Sequence, residues 1–163
     1  VMGKSKLAGE ELCLGAQKFK ANETDFIIVR FGNVMPSRGS VIPIFQKQIQ
    51  EGKSLTVTSP DMKRYFMGIY DAVALVIKAT ELAKGGDVVV LDMGEEISID
   101  ELARLMIKLS GKDLQVVYTH PEKGEKYQEE LMTSEEKLRA KKVDGVYVIQ
   151  AKKVSKKRKG SKA

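Results

Sequence analysis

Asp87-Val88-Val89-Val90-Leu91 (DVVVL) is the most strand-like run of the chain, and three successive valines favour a strand buried on both faces, as in a parallel sheet. Helical patterns flank it. Upstream, Tyr70 to Ala83 sets Val73, Val76, Ile77 and Leu82 on one face, and Gly85-Gly86 closes the helix. Downstream, Ser98 and Glu101 have the S-x-x-E spacing of a capping box, opening a helix to Leu109 that Gly111 ends. Leu114 to Tyr118 (LQVVY) follows as a strand, then short helices over Glu125 to Leu131 and Ser134 to Ala140, and a last strand over Tyr147 to Gln150. Toward the N-terminus, a helix over Gly3 to Lys20 precedes a second buried strand, Phe26 to Phe31 (FIIVRF). Gly32 to Gly39 reads as a loop, Val41 to Glu51 as a helix stopped by Gly52, and Leu55 to Thr58 (LTVT) as a short strand. Strands alternating with helices of about 10 to 15 residues argue an α/β fold, and no internal repeat is present.

With 163 residues, 42% of them hydrophobic and 31% charged, the chain has the size and composition of one ordinary soluble domain. The single thiol, Cys13, excludes a disulfide within the chain. The longest apolar-rich stretch, Ala72 to Ala83, is broken by Lys78, Thr80 and Glu81, too short and too polar for a spanning helix. No secretory signal is seen, so a cytoplasmic, reducing location is expected. The formal charge of +6 is local: residues 151–163 hold seven basic side chains and no acid, which leaves −1 for residues 1–150. Such a block reads as a disordered, solvated tail, with nucleic acid or an anionic membrane as its possible partners.

The standard phosphate cradles are absent. Neither G-x-G-x-x-G nor G-x-x-x-x-G-K-[ST] occurs, no G-x-S-x-G elbow is present, and one histidine, His120, cannot build a histidine metal cluster. No metal site is expected.

Four segments carry more polar chemistry than a connecting loop requires. Met2 to Lys6 (MGKSK) places Lys6 one helical turn beyond Met2; alone, this also reads as a solvated lysine. Arg30 to Ser40 (RFGNVMPSRGS) leaves a buried strand where open α/β sheets place ligands. Asn33, Arg38 and the amides near Gly39 and Ser40 could grip a phosphate, or simply form a loop. Asp61 to Met67 (DMKRYFM) offers Arg64, a planar fork suited to a diphosphate, beside aromatics that could equally plug the core. Pro121 to Glu130 (PEKGEKYQEE) holds carboxylates able to accept ribose hydroxyls, or an exposed helix start.

Taken together, MGKSK, VRFGNVMPSRGSVIPIFQKQI, LTVTSPDMKRYFMGIYDAV, VVVLDMGEEISIDELA and GEKYQEELMT occur in an order and at intervals that resemble one family. It is the C-terminal half of UDP-N-acetylglucosamine 4,6-dehydratases, the CapD-like polysaccharide-biosynthesis branch of the extended short-chain dehydrogenase/reductase superfamily. The resemblance covers about residues 1 to 133. It implies the C-terminal, substrate-binding part of a Rossmann-like fold over residues 1–133, an extension over 134–150 and a basic tail over 151–163. The superfamily's Tyr-x-x-x-Lys pair then falls on Met2 and Lys6, with Lys6 holding the nicotinamide ribose and methionine in the tyrosine position, as in the large members of the family. Cofactor and sugar-diphosphate contacts fall on Asn33, and nucleotide packing falls on Ser37, Arg38, Gly39, Ser40, Val41 and Phe45. Thr56 and Thr58 fall on the uracil side, Arg64 on the diphosphate and Glu125 on the nucleotide.

The chain departs from that pattern where the family's R-P-G-E-K reads Glu122-Lys123-Gly124-Glu125-Lys126, an acid replacing an arginine. The family's N-terminal half, with the glycine-rich loop for NADP (or NAD) and the Asp-Lys pair of the dehydration, is not in this sequence. The expectation is a partial or split 4,6-dehydratase that binds a UDP-sugar and is inactive without a companion chain. A homo-oligomer is possible. The alternatives are an epimerase or reductase module, or a non-catalytic remnant acting through its tail. Missing neighbours should leave a sheet edge and apolar helix faces uncovered.

Overall fold

The structure is a computed structural model, and it describes residues 2–19, 23–37, 39–121 and 123–151. Helix α1 (Met2–Ala16) leads to β1 (Ile28–Arg30) and β2 (Asn33–Met35), then α2 (Val41–Gln50), β3 (Leu55–Val57), β4 (Lys63–Arg64) and β5 (Phe66–Gly68). Helix α3 (Ile69–Leu82) returns the chain to β6 (Val88–Leu91), which β7 (Ile97–Ser98), α4 (Ile99–Ser110) and β8 (Val116–Tyr118) follow. The described chain ends with α5 (Ser134–Arg139), β9 (Ala140–Val143) and β10 (Val146–Ile149).

The main sheet has the order β1-β6-β10-β9. Its β1–β6 pair is parallel, with Ile28 beside Val88, whereas β10 runs antiparallel to both β6 and β9. The sheet is therefore mixed, not purely parallel. The cause is local: Asp144 and Gly145 take φ values of 46° and 78°, the two left-handed positions of a tight hairpin that Asp-Gly favours. That dipeptide announces the hairpin, and with it β9, which the helix-then-strand reading of this region does not contain.

The valines of β6 are buried on both faces, as their run indicates. Val89 packs with Leu75 and Ala79 of α3 and with Val146 and Val148. On the other face, Val88 and Val90 join Ile28 and Ile149 under Cys13 and Leu14 of α1. A separate core of Phe45, Leu55, Val57, Met62, Ile99 and Ala103 lies between α2, α4 and β3. Three two-stranded ladders connect these layers: β2 with β5, β3 with β8, and β4 with β7. Strand β1 stands at the sheet edge, and Val73 and Ile77 of α3 are exposed.

Ser98 caps α4 as its spacing predicts, accepting from the Glu101 amide at 3.3 Å, and Gly111 ends the helix at φ 66°. The expected helix over 125–131 does not form. Its backbone is engaged elsewhere: Tyr127 O accepts from Lys63 N at 2.9 Å, Leu131 O accepts from Arg30 at 3.1 Å, and Glu129 N donates to Glu96 at 3.2 Å. Tertiary partners take the groups a helix would have paired with itself.

Candidate functional site

The chain leaves β1 at Arg30 and enters β2 across Gly32. A Cβ on Gly32 would lie 2.6 Å from Tyr65 Cβ and 2.7 Å from Tyr65 O, so only glycine lets the two backbones approach. The Asn33 amide then donates to Tyr65 O at 2.8 Å, and β2 pairs in parallel with β5, Asn33 beside Phe66. This contact ties Asn33 to the strand that follows Arg64. We expect Gly32→Ala to cost about 1–3 kcal/mol, because the obstacle is backbone and cannot rotate away; urea unfolding of the variant measures it.

Arg64 itself is largely buried, its side chain 14% exposed. One guanidinium nitrogen donates to Lys63 O at 2.7 Å and Tyr127 O at 3.1 Å. The rest of the fork faces carboxylates, with Glu125 Oε1 at 3.5 Å from NH2 and Glu129 Oε1 at 3.6 Å from Nε. Burial pushes the Glu129 carboxyl above its ordinary range; Arg64 and Lys6 pull it back down, and Glu96 adds to the rise. The Tyr65 hydroxyl is likewise pushed up, chiefly by burial and then by Glu96 and Glu129. Tyr65, Glu96 and Glu129 border a cavity of about 340 Å³ that meets β6 at its carboxyl end, where Asp92 and Lys137 also line it; Arg64 stands behind Glu129 and is not part of the lining. A larger cavity, of about 460 Å³, meets β6 at its other end, at Val88, and of the four candidate segments it touches only Arg30. Position relative to the strand ends favours the smaller one as the ligand region.

The fold thus gathers Arg64 and Glu125 into contact and sets Lys6 within electrostatic reach of Glu129, while Asn33 pairs with Phe66, two residues along the chain from Arg64. Lys6 is exposed on α1, which Met2 opens. The other sequence candidates are placed differently. Phe45 is fully buried in the α2/α4 core with Val41 packed against it. Thr56 is turned onto α2, its hydroxyl accepting from Gln48 at 2.8 Å, and Thr58 is half-buried just past β3. Ser37 and Gly39 are exposed, and Ser40 stands at the N-cap of α2 with a buried hydroxyl that has no hydrogen-bond partner among the described residues. Arg38, Glu122 and residues 152–163 of the basic tail lie outside the described residues. Sequence reasoning flagged the 121–130 segment but not Glu129 or its partner Glu96, 33 residues away. No spacing rule links the two.

The sequence family described as "Polysaccharide biosynthesis protein" matches residues 1–151. The chain belongs to this family. It is 46% identical over 139 residues to the capsular polysaccharide biosynthesis protein CapD of Staphylococcus aureus, covering 83% of this chain and 23% of that one. Among solved structures, Pen from Bacillus thuringiensis superposes with a TM-score of 0.84 at 39% identity, over 92% of this chain and 48% of Pen. The UDP-glucuronic acid 4-epimerase of Bacillus cereus, solved with UDP-glucuronic acid and NAD, gives 0.65 at 28% identity over 77% of this chain and 41% of its own. The architecture is that of an extended short-chain dehydrogenase/reductase, of which the chain spans under half. Among the described residues no helix is long and apolar enough to cross a membrane.

Proposed function

We propose that the chain is the nucleotide-sugar-binding part of an enzyme of polysaccharide biosynthesis, a 4,6-dehydratase that removes water from a UDP-N-acetylhexosamine. The observation that carries this reading is Arg64, tethered by two carbonyls, largely buried and 3.6 Å from Glu129, a carboxylate that lines a polar cavity at the carboxyl end of β6. A planar guanidinium so held is suited to the paired oxygens of a diphosphate, and the surrounding carboxylates are suited to ribose and sugar hydroxyls. Glu125 would meet the nucleotide, as the resemblance implies, while Asn33 and Ser40 would line the approach. The 28% likeness to an epimerase keeps 4-epimerisation as the second reading.

A nicotinamide dinucleotide is not cradled by these residues. The sequence has no glycine-rich phosphate loop. In the glycine-bearing turn after β6, Gly94 faces open space, with no close packing against a neighbour. Lys6 and Asn33 would meet one end of NADP or NAD, and the rest would require a companion chain or a longer polypeptide. A homo-oligomer, and binding of the tail to nucleic acid or anionic lipid, stay as further proposals.

Calorimetric titration with UDP-N-acetylglucosamine, with UDP and NADP as separate controls, tests the reading. We expect binding of the UDP-sugar without NADP, weakened about 10- to 100-fold by Arg64→Ala, the loss expected for a charge-assisted bond. A wild-type chain that binds no uridine nucleotide, or an Arg64→Ala variant of unchanged affinity, would sink it.

A further inference from the structure

Likeness to solved relatives leaves the sugar open, since one of them is crystallised with an acidic sugar nucleotide. Glu129 addresses that question. Its carboxylate lies 3.6 Å from Arg64 Nε, and it feels the charges of Lys6 on α1 and of Glu96. Its own amide donates to Glu96 Oε1 at 3.2 Å, which anchors the backbone that carries it. If Arg64 takes the diphosphate, the hexose is the next group along the ligand, and Lys6, in the lysine position that the family resemblance implies, would mark where the chemistry is carried out. Glu129 interacts with both, so the hexose lies in its field.

We propose that Glu129 sets the charge of the sugar this site accepts, admitting neutral N-acetylated hexoses and rejecting hexuronates. The inference rests on the UDP-sugar reading above. A neutral hexose offers hydroxyl and amide N–H donors to the carboxylate, and a charged acceptor makes those hydrogen bonds stronger. A hexuronate replaces the C6 hydroxymethyl group with a carboxylate, which would stand against Glu129 and Glu96 together. Specificity of this kind works through a repulsive element built against the wrong ligand. The burial of Glu129 adds to the effect, since a half-buried carboxylate is screened less by solvent than a surface one.

The test compares dissociation constants for UDP-N-acetylglucosamine, UDP-glucuronic acid and UDP on the wild type, Glu129→Gln and Glu129→Asp. We expect the wild type to bind the glucuronate at least tenfold more weakly than the neutral sugar nucleotide. Glu129→Gln should narrow that ratio at least fivefold, chiefly by tightening the glucuronate, while Glu129→Asp, which keeps the charge, should retain it. Equal wild-type affinity for both sugars overturns the proposal whatever becomes of the variants. So does an unchanged ratio in Glu129→Gln with both ligands still bound, or loss of the preference in Glu129→Asp. If the wild type binds UDP but neither sugar nucleotide, or nothing at all, the underlying reading falls and this inference falls with it.

Discussion

Replacing Phe45 with alanine is expected to lower the stability of the chain by about 3–5 kcal/mol, the range for deleting a fully buried phenylalanine. Phe45 is 0% exposed and sits among Leu55, Val57, Met62, Ile99 and Ala103, with Ile49, Met106 and Val116 around them. Six side-chain carbons would leave a cavity bounded by α2, α4 and β3. Those elements are tied at one corner by Lys112, whose ammonium donates to Ile49 O, so they cannot collapse freely onto the gap. Phe45→Leu should cost less, because the residual cavity is smaller. Urea unfolding of both variants measures the difference. A loss under about 1 kcal/mol for alanine would mean that the α2/α4 core is not packed as described. The pair also separates two roles for Phe45. If it only supports the core, Phe45→Leu keeps nucleotide affinity; if it contacts the nucleotide, affinity falls while stability is nearly preserved.

Removing Arg30 should be almost as damaging. It stands at the end of β1 and donates to Glu10 of α1 at 2.9 and 2.7 Å, to Glu136 of α5 at 3.0 Å and to Leu131 O at 3.1 Å. One guanidinium thus joins the sheet to two helices and to the segment that carries Glu129. Arg30→Met leaves two carboxylates facing each other without their cation. A fully buried pair broken this way costs about 3–5 kcal/mol. The side chains here are 22%, 22% and 15% exposed, so we expect about 2–3 kcal/mol after solvent screening.

The effect has a pH signature. Burial works against the Glu136 charge, but the hydrogen bonds from Arg30 and from the Thr133 amide outweigh it and hold the carboxyl below its ordinary range. A lowered folded-state pKa contributes stability that is present above the unfolded value and lost as pH falls through the folded one. The gap between wild type and Arg30→Met should therefore be full at neutral pH and shrink on acidification below the ordinary carboxylate range. Denaturation midpoints taken from pH 7 down to pH 3 would show it. A gap that does not change with pH would assign the loss to packing instead of charge. Adding Glu136→Gln to Arg30→Met should restore part of the stability, by removing one uncompensated carboxylate.

These residues also show what was readable along the chain. The triple valine of β6, the helical face of α3, the Ser98 cap and the glycine stop of α4 are local patterns, because burial on a strand and capping of a helix depend on residues a few positions apart. The order of strands and helices, and the strings that mark the family, follow from the same short-range information. Arg64 stood out in it by chemical type, and Glu125 by the family resemblance. The hairpin after α5 was also local, in Asp144-Gly145, where two left-handed residues reverse the chain and make the sheet mixed.

The remainder depends on contacts distant in sequence. Nothing near Phe45 says whether it faces a nucleotide or the α2/α4 core; the packing of α4 against α2 decides that. The segment over 125–131 has helical composition, yet stays irregular because Lys63, Arg30 and Glu96 claim its backbone from 33 to 101 residues away. Glu129 gains its place beside Arg64 and within the reach of Lys6 only through that capture. The sequence by itself determined the family and the main helices and strands, but not β2 inside the expected loop over 32–39, β9, or the irregular path over 125–131. The tertiary structure decided which charged groups face one another, since Coulomb energy and desolvation depend on separation and burial in space.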